Sequence, residues 1–442
     1  MPAPAPRGPV GTGTPIRQSG LRAHNLALVL DRIAHAARPP SRADLAATTG
    51  LTRATVSALA DELLRGRLVA EVEPARRSGA GRPAAGLVLA GHAAGLGLEI
   101  NVDYLAACVI DLTGRVRHRE VRRQDLRPVS PGVALDRLAD LAASAGDAAR
   151  AAGLALAGTT LAVPGLVDPA GMVRRAPNLD WHDVDVPGML ADRIAGLAVE
   201  NEANLAALGE LHAGTAPNSF LYVSGEIGVG AGVILSGALY RGSRGFGGEL
   251  GHLPVDPGGR PCRCGSRGCL EQYAGQEAIL AAAGGIGERP AARGRSGTGE
   301  QRAAGGNSGR SAGGGIGERP AGGGAGQPAA PLHRVAELAR AGDDAALAAL
   351  DRAGRALGVA VAGAVNLLDL GTVLLGGGYA ELAPWLLPAL RAELSRRVVT
   401  AGWAPLEVRA ALLGPDAAVI GAAGSVIRSV LAQPAHWLTR AA

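Results

Sequence analysis

The hydrophobic pattern near the start of the chain has a helical period. Leu26, Val29, Leu30 and Ile33 recur at helical spacing and predict a first amphipathic helix. Ser41 with Asp44 three residues later carries the signature of a capping box, so a short helix begins there, with Leu45 and Ala46 facing inward and Gly50 as its break. Thr52 caps the next helix, whose buried stripe is Val56, Leu59, Ala60 and Leu63. Leu68–Val72 then predicts a strand and Leu87–Leu89 its return, joined by a basic, glycine-rich tip holding Arg76, Arg77, Arg82 and Pro83. Three helices and a two-stranded ribbon are the elements of a winged helix-turn-helix over residues 20–90, after a disordered tail at 1–19.

From residue 94 the pattern becomes that of an α/β body. Leu96–Ile100 and Leu105–Ile110 are apolar strand segments, 133–152 is helical, and Leu154–Val163 is a buried strand ending at Pro164 and Gly165. Leu197–Asn201 is a strand running into a helix over 202–210, and Phe220–Ser224 and 228–235 are strands joined by a glycine turn. Further helices are predicted over His333–Ala345 and from Ala349 toward Leu370, then a strand from Thr372 to the glycines 376–378, and a closing helix over 418–431. The division predicted is a first lobe at 94–200, a second at 201–410 and a C-terminal segment at 411–442. Residues 284–331 contain GGIGERPA twice, at 284 and 314, and predict a disordered Gly-rich insertion.

Charge sharpens the role of the first segment. The net charge is +5, and residues 17–82 alone hold 11 arginines against 6 acidic residues, an excess equal to the whole net charge. A basic head on a neutral body suits double-stranded DNA. Thr52, Arg53, Thr55 and Ser57 sit at the start of the third helix, where a major groove would meet it, and Arg76, Arg77 and Arg82 lie on the ribbon tip. The competing assignment for such a head is a protein-interaction module. Every basic residue is arginine, which excludes Schiff-base and phosphate-loop lysine chemistry. No apolar run looks long enough for a membrane span and no signal peptide is visible, so the expected location is the cytoplasm.

Three of the four cysteines fall in eight residues, Cys262, Cys264 and Cys269, and His252 lies ten residues before the first of them. In a reducing compartment this favours metal ligation over disulfides, and the spacing fits tetrahedral zinc. Four protein ligands leave no open position, so the zinc expected is structural rather than catalytic. Cys108, in an apolar run, is expected to be an ordinary buried side chain.

The head with Gly81-Arg82-Pro83, the stretch Val199-Glu-Asn201-Glu-Ala-Asn204, Gly248-Glu249-Leu-Gly-His252, and Cys262-x-Cys264-x4-Cys269-Leu-Glu271 together resemble the ROK family (repressors, open reading frames and sugar kinases). Over about residues 20 to 440 the layout is similar to its xylose-repressor and N-acetylglucosamine-repressor branch. The resemblance implies a two-lobed, actin-like (ribonuclease H-like) sugar kinase fold, a homodimer or homotetramer, and a monosaccharide held by Gly165, Asn178, Asn201, Glu202, Glu249, His252 and Glu271. Carboxylates and amides suit vicinal hydroxyls, each of which is donor and acceptor. Three departures from the family's kinases imply lost catalysis. Glu202 stands where those enzymes carry the aspartate base; Glu99–Tyr104 lacks the glycines of the first phosphate loop; Glu226-Ile227 replaces a Gly-Thr pair. The function expected is a sugar-responsive repressor of carbohydrate genes. The alternative is an active ATP-dependent sugar kinase with a regulatory DNA-binding head.

Overall fold

The computed structural model describes residues 18–73, 85–284 and 331–441. The ribbon tip with Arg76, Arg77 and Arg82, the tail at 1–17 and most of the repeat-bearing segment lie outside the described residues.

The head consists of α1 (Gln18–Ala34), α2 (Arg42–Thr49), α3 (Arg53–Arg65) and the antiparallel pair β1 (Val69–Val72) and β2 (Gly86–Leu89). The capping box at Ser41 and Asp44 is formed, Gly50 closes α2 in the left-handed region at φ 73°, and the Thr52 side chain accepts the Thr55 N–H. Arg42 fastens the three parts together, pairing with Asp61 of α3 at 2.8 Å and Glu71 of β1 at 2.6 Å.

The body repeats one design twice. The first sheet contains β3 (Ala93–Ile100), β4 (Tyr104–Asp111), β5 (Val116–Arg123), β6 (Ala155–Val163) and a later strand, β10 (Leu197–Asn201), in the order β10-β6-β3-β4-β5. Its β3–β4–β5 part is antiparallel, whereas β6 and β10 run parallel to β3. α4 (Pro131–Ala151) crosses over between β5 and β6 and covers one face. A small sheet of β7 (Leu166–Val167), β8 (Val173–Ala176) and β9 (Trp181–Val184), followed by α5 (Val186–Leu190), projects from the C-terminal end of β6.

The second sheet follows α6 (Glu202–His212) and has the order β13-β12-β11-β14-β15. It consists of β11 (Phe220–Gly225), β12 (Val229–Leu235), β13 (Ala238–Leu239), β14 (Thr372–Gly377) and β15 (Glu407–Ala410), again an antiparallel meander extended by two parallel strands. α7 (Glu271–Ala274), α8 (Gln276–Ala282), α9 (Pro331–Arg340), α10 (Asp344–Leu368) and α11 (Gly378–Arg397) accompany it. The helix predicted over His333–Ala345 is broken, because Gly342 turns at φ 83° and Asp343 caps a fresh helix by accepting the Ala346 N–H.

α12 (Ala417–Ala432) and α13 (Pro434–Ala441) end the chain. Gly414–Ala432 has a mean hydropathy of 1.2 and is long and apolar enough to cross a membrane, contrary to the expectation from the sequence; half of it is buried inside the fold. α12 lies against β3 and β6 of the first sheet and against α6, which in turn packs on β12 of the second. Glycines set these distances. A Cβ at Gly97 would stand 2.2 Å from the Val419 carbonyl, and one at Gly421 would stand 1.8 Å from the Leu205 carbonyl. Because both obstacles are backbone, Gly421→Ala is expected to cost about 3 kcal/mol of stability, measured by urea denaturation.

Candidate functional site

Between the two sheets lies a cleft of about 390 Å³, and all seven residues expected to hold a sugar line it: Gly165, Asn178, Asn201, Glu202, Glu249, His252 and Glu271. They arrive from separate elements. Gly165 follows β6 at φ 146°, where a Cβ would strike the Arg175 carbonyl at 2.4 Å. Asn201 ends β10 and caps α6; its side-chain oxygen accepts the Asn204 N–H and its Nδ2 donates to the Gly165 carbonyl at 2.9 Å. Much of the Asn201 amide is therefore committed to joining the two walls. Glu202 opens α6 and accepts from the Ser224 hydroxyl at 3.4 Å. Glu271 opens α7, and its Oε2 is 2.3 Å from where a Cβ on Gly228 would be, so this carboxylate needs a bare backbone opposite.

Glu249 precedes a single 3-10 turn, Leu250–His252. The loop is pressed onto β12: a Cβ at Gly248 would meet the Ala231 carbonyl at 2.3 Å, and one at Gly251 the Val229 carbonyl at 2.2 Å. Burial raises the Glu249 carboxyl above its ordinary range, His252 opposes that and Glu271 adds to it.

Next to these carboxylates, the ligand atoms of His252, Cys262, Cys264 and Cys269 all lie within 4.8 Å of one another. The Cys264 and Cys269 sulfurs are 3.7 Å apart, and His252 Nδ1 is 3.8 Å from the Cys262 sulfur. Zinc with Zn–S bonds of about 2.3 Å in a tetrahedron sets sulfurs roughly 3.8 Å apart, so the four donors fit a zinc ion. Backbone pairing shapes the loop: Cys262 N–H donates to the Ser266 carbonyl and Gly265 N–H to the Cys262 carbonyl. His252 turns its other nitrogen, Nε2, toward Glu249, 3.8 Å from Oε2. A zinc held here would supply a closed structural cross-link that fixes the orientation of the His252 ring.

A second acidic group gathers at the cleft, Glu202 and Glu226 in its lining and Glu99 buried near them. Glu99 is 2% exposed; Tyr104 donates to its Oε1 at 2.5 Å, and its Oε2 has no partner. Burial, reinforced by the neighbouring Glu202, pushes its carboxyl up to about 8. Burial likewise takes Glu202 up to about 7 and Glu226 well above the carboxylate range, with Glu202 and Glu99 repelling the latter's charge. Glu202 and Glu226 are half-buried and open on the cleft, so the stability consequence rests on Glu99. An acid raised in the fold keeps its proton where the unfolded chain has lost it. Its contribution is present below pH 4.5 and declines as pH rises toward about 8. Glu99→Gln keeps the acceptor for Tyr104 and removes the titration. It is expected to flatten the fall of melting temperature between pH 5 and pH 9 and to exceed the wild type at pH 9 by on the order of 3 kcal/mol. A parallel pH dependence of the two proteins would contradict this.

Residues that sequence patterns did not single out also line the cleft, chiefly Arg175 and Arg263. Arg175 donates to the Arg263 carbonyl at 2.8 Å, while its buried Nε lacks a partner. A lone arginine on a short strand carries no spacing signal that would have revealed it. In the head, Thr52 and Arg53 are exposed at the start of α3, and Thr55 and Ser57 are half-buried. The Thr52 hydroxyl is occupied with the Thr55 N–H and hydroxyl.

The family model described as "ROK family" matches residues 95–428. The chain belongs to the ROK family. Among its relatives, the xylose repressor of Bacillus subtilis (strain 168) is 30% identical over 394 residues, covering 88% of this chain and 91% of that protein. A glucokinase of Thermotoga maritima is 32% identical over 269 residues, covering 60% of this chain and 77% of the enzyme. The crystal structure of a ROK family transcriptional regulator, a homolog of the E. coli MLC protein, covers 95% of this chain and 98% of its own at a TM-score of 0.71 and 23% identity, a likeness of fold. The repressor match is too long to fit inside the 95–428 span of the family model, so it takes in residues beyond the two-lobed body.

Proposed function

We propose that this ROK protein is a sugar-responsive transcriptional repressor of carbohydrate genes. The observation that carries the reading is the union, in one chain, of a three-helix-and-ribbon head with a polar cleft whose wall is a four-donor metal loop. The extent of the repressor match supports it. Glu249, His252 and Glu271, together with Asn178 and Asn201, would grip the hydroxyls of a monosaccharide, and zinc would keep the His252 loop in place. Thr52, Arg53, Thr55 and Ser57 would meet the major groove, with Arg76, Arg77 and Arg82 on phosphate or the minor groove. A two-fold related operator calls for a homodimer or homotetramer, and DNA as partner places the protein in the cytoplasm.

The same reading makes the protein a non-enzyme. Phosphoryl transfer needs donors and cations around the moving phosphate. Here Glu202 and Glu226 line the cleft with Glu99 buried close to them, each holding its proton more tightly than an ordinary carboxyl, and the cations of the lining are the arginines Arg175 and Arg263. Titration with D-xylose, D-glucose and N-acetylglucosamine is expected to show saturable binding of one sugar, release of operator DNA by that sugar, and no sugar-dependent ATP turnover in a coupled assay. Operator affinity that no sugar alters, or steady turnover of ATP with sugar, would defeat the proposal.

A further inference from the structure

We propose that the C-terminal helix α13 holds the DNA-reading helix α3 in a pose set by the state of the cleft, with Trp437 and Leu438 as positioning residues for DNA recognition. This rests on the functional reading above. The last carbonyls of a helix have no partner within it. At the end of α3 that vacancy is filled from the far end of the chain: Trp437 Nε1 donates to the Gly66 carbonyl at 2.9 Å, across 371 residues of sequence. Gly66 caps α3 at φ −76° and ψ 0°, a backbone open to any residue, so conformation does not require glycine there. Space does. A Cβ at Gly66 would stand 2.0 Å from the Leu438 Cδ2. The recognition helix thus ends in a socket shaped for the tail.

The tail is itself anchored on the body. The Trp437 ring meets His92 edge-on, with centroids 6.3 Å apart and planes at 74°, and Arg440 donates to the Ala157 carbonyl of β6 at 3.2 Å. α13 follows α12 after the single residue Gln433. α12 crosses α6 backbone to backbone at Gly421 and Gly209, where a Cβ on Gly209 would stand 2.5 Å from the Ala417 carbonyl. α6 begins with Asn201, Glu202 and Ala203 in the cleft wall. The crossing of α6 and α12 is therefore a backbone contact with no flexible side chain to absorb a shift, and from α12 the path to α3 runs through Trp437 and Leu438 of α13. The covalent link between head and body, residues 90–92, lies beside the same joint, with His92 against Trp437.

The test uses the full chain, a duplex selected by the wild type from a random pool, and D-xylose and D-glucose as probes. Trp437→Phe keeps the ring and loses only the N–H. Its sugar affinity is expected to stay within twofold of wild type, its affinity for the duplex to fall at least fivefold, and the ratio of duplex affinities with and without sugar to drop below a third of the wild-type value. Gly66→Ala should weaken duplex binding, and adding Leu438→Ala should restore it at least threefold by emptying the socket. If duplex affinity falls while the sugar-dependent ratio stays at the wild-type value, Trp437 is only a prop and the proposal is wrong. Wild-type duplex affinity in Trp437→Phe overturns it as well. Should neither sugar bind the wild type, it is the functional reading that fails. Amide hydrogen exchange at 62–68 then still decides the local claim: faster exchange in Trp437→Phe supports it, and unchanged protection overturns it.

Discussion

Replacing Cys269 with serine is expected to abolish stoichiometric metal binding, lower the melting temperature by at least about 5 °C and weaken sugar binding by roughly 10–100-fold. Cys269 is fully buried, its backbone pairs with Pro254, and Leu270 beside it belongs to the core of the second lobe. Burial pushes its thiol up to about 12, so without a cation it is a neutral, idle group among two other thiols. A bound zinc reverses that by stabilising the thiolate, which is how metal binding becomes folding free energy. The loss should reach the sugar because His252 belongs to both sites: Nδ1 faces the sulfurs and Nε2 faces Glu249. Metal content, a thermal melt and a calorimetric sugar titration measure the three effects. One zinc per chain in the variant, or wild-type sugar affinity in protein stripped of metal, would dissolve the link between the two sites.

Glu271→Ala should do the complementary thing. Zinc content is expected to remain at the wild-type level while sugar affinity falls by about 100–1,000-fold, on the order of 3–4 kcal/mol. The side chain projects from the first turn of α7, two residues past Cys269, and α7 is fixed from the other side by Tyr379, whose hydroxyl donates to the Ala274 carbonyl at 2.7 Å. Removing the carboxylate leaves the scaffold intact but leaves sugar hydroxyls unpaired in a confined site. Gly228→Ala presses on the same carboxylate from across the cleft and should give a smaller loss in the same direction. If Glu271→Ala loses zinc and sugar together, the carboxylate supports the loop rather than the ligand.

The parts of this fold that were legible in the sequence are those where local chemistry and burial agree. The capping box at Ser41, the break at Gly50 and the stripe from Val56 to Leu63 recur as expected, because each depends on residues within one turn. The clustered donors of the metal loop were legible for the same reason. β5 was missed: its sequence VRHREVRR is that of an exposed, charged edge strand with little apolar alternation. α13 was missed because its eight residues gain their meaning from Gly66 and His92, far away in sequence. The grouping of Glu99, Glu202 and Glu226 into one proton-retaining cluster was also hidden, since β3, the start of α6 and the turn after β11 must meet before their charges interact. Asn201 appeared only as a sugar ligand, whereas it also ties β10 to Gly165.

The head and the first lobe share one hydrophobic core. Val29, Leu59 and Leu63 of the head, Ala106, Cys108 and Ile110 of β4, and Val419, Ile427 and Trp437 of the C-terminal helices belong to the same cluster. A DNA-binding module on a flexible tether can be cut off, swapped or grafted as a cassette. This one cannot. A fragment starting at residue 94 would bare the faces of α12 and α13 on which α1 packs, and a head expressed alone would lack the wall that completes its interior. Chimeras that exchange operator specificity among such proteins should therefore cross over within α3, leaving the buried stripe and Gly66 in place, and not at the link between head and body.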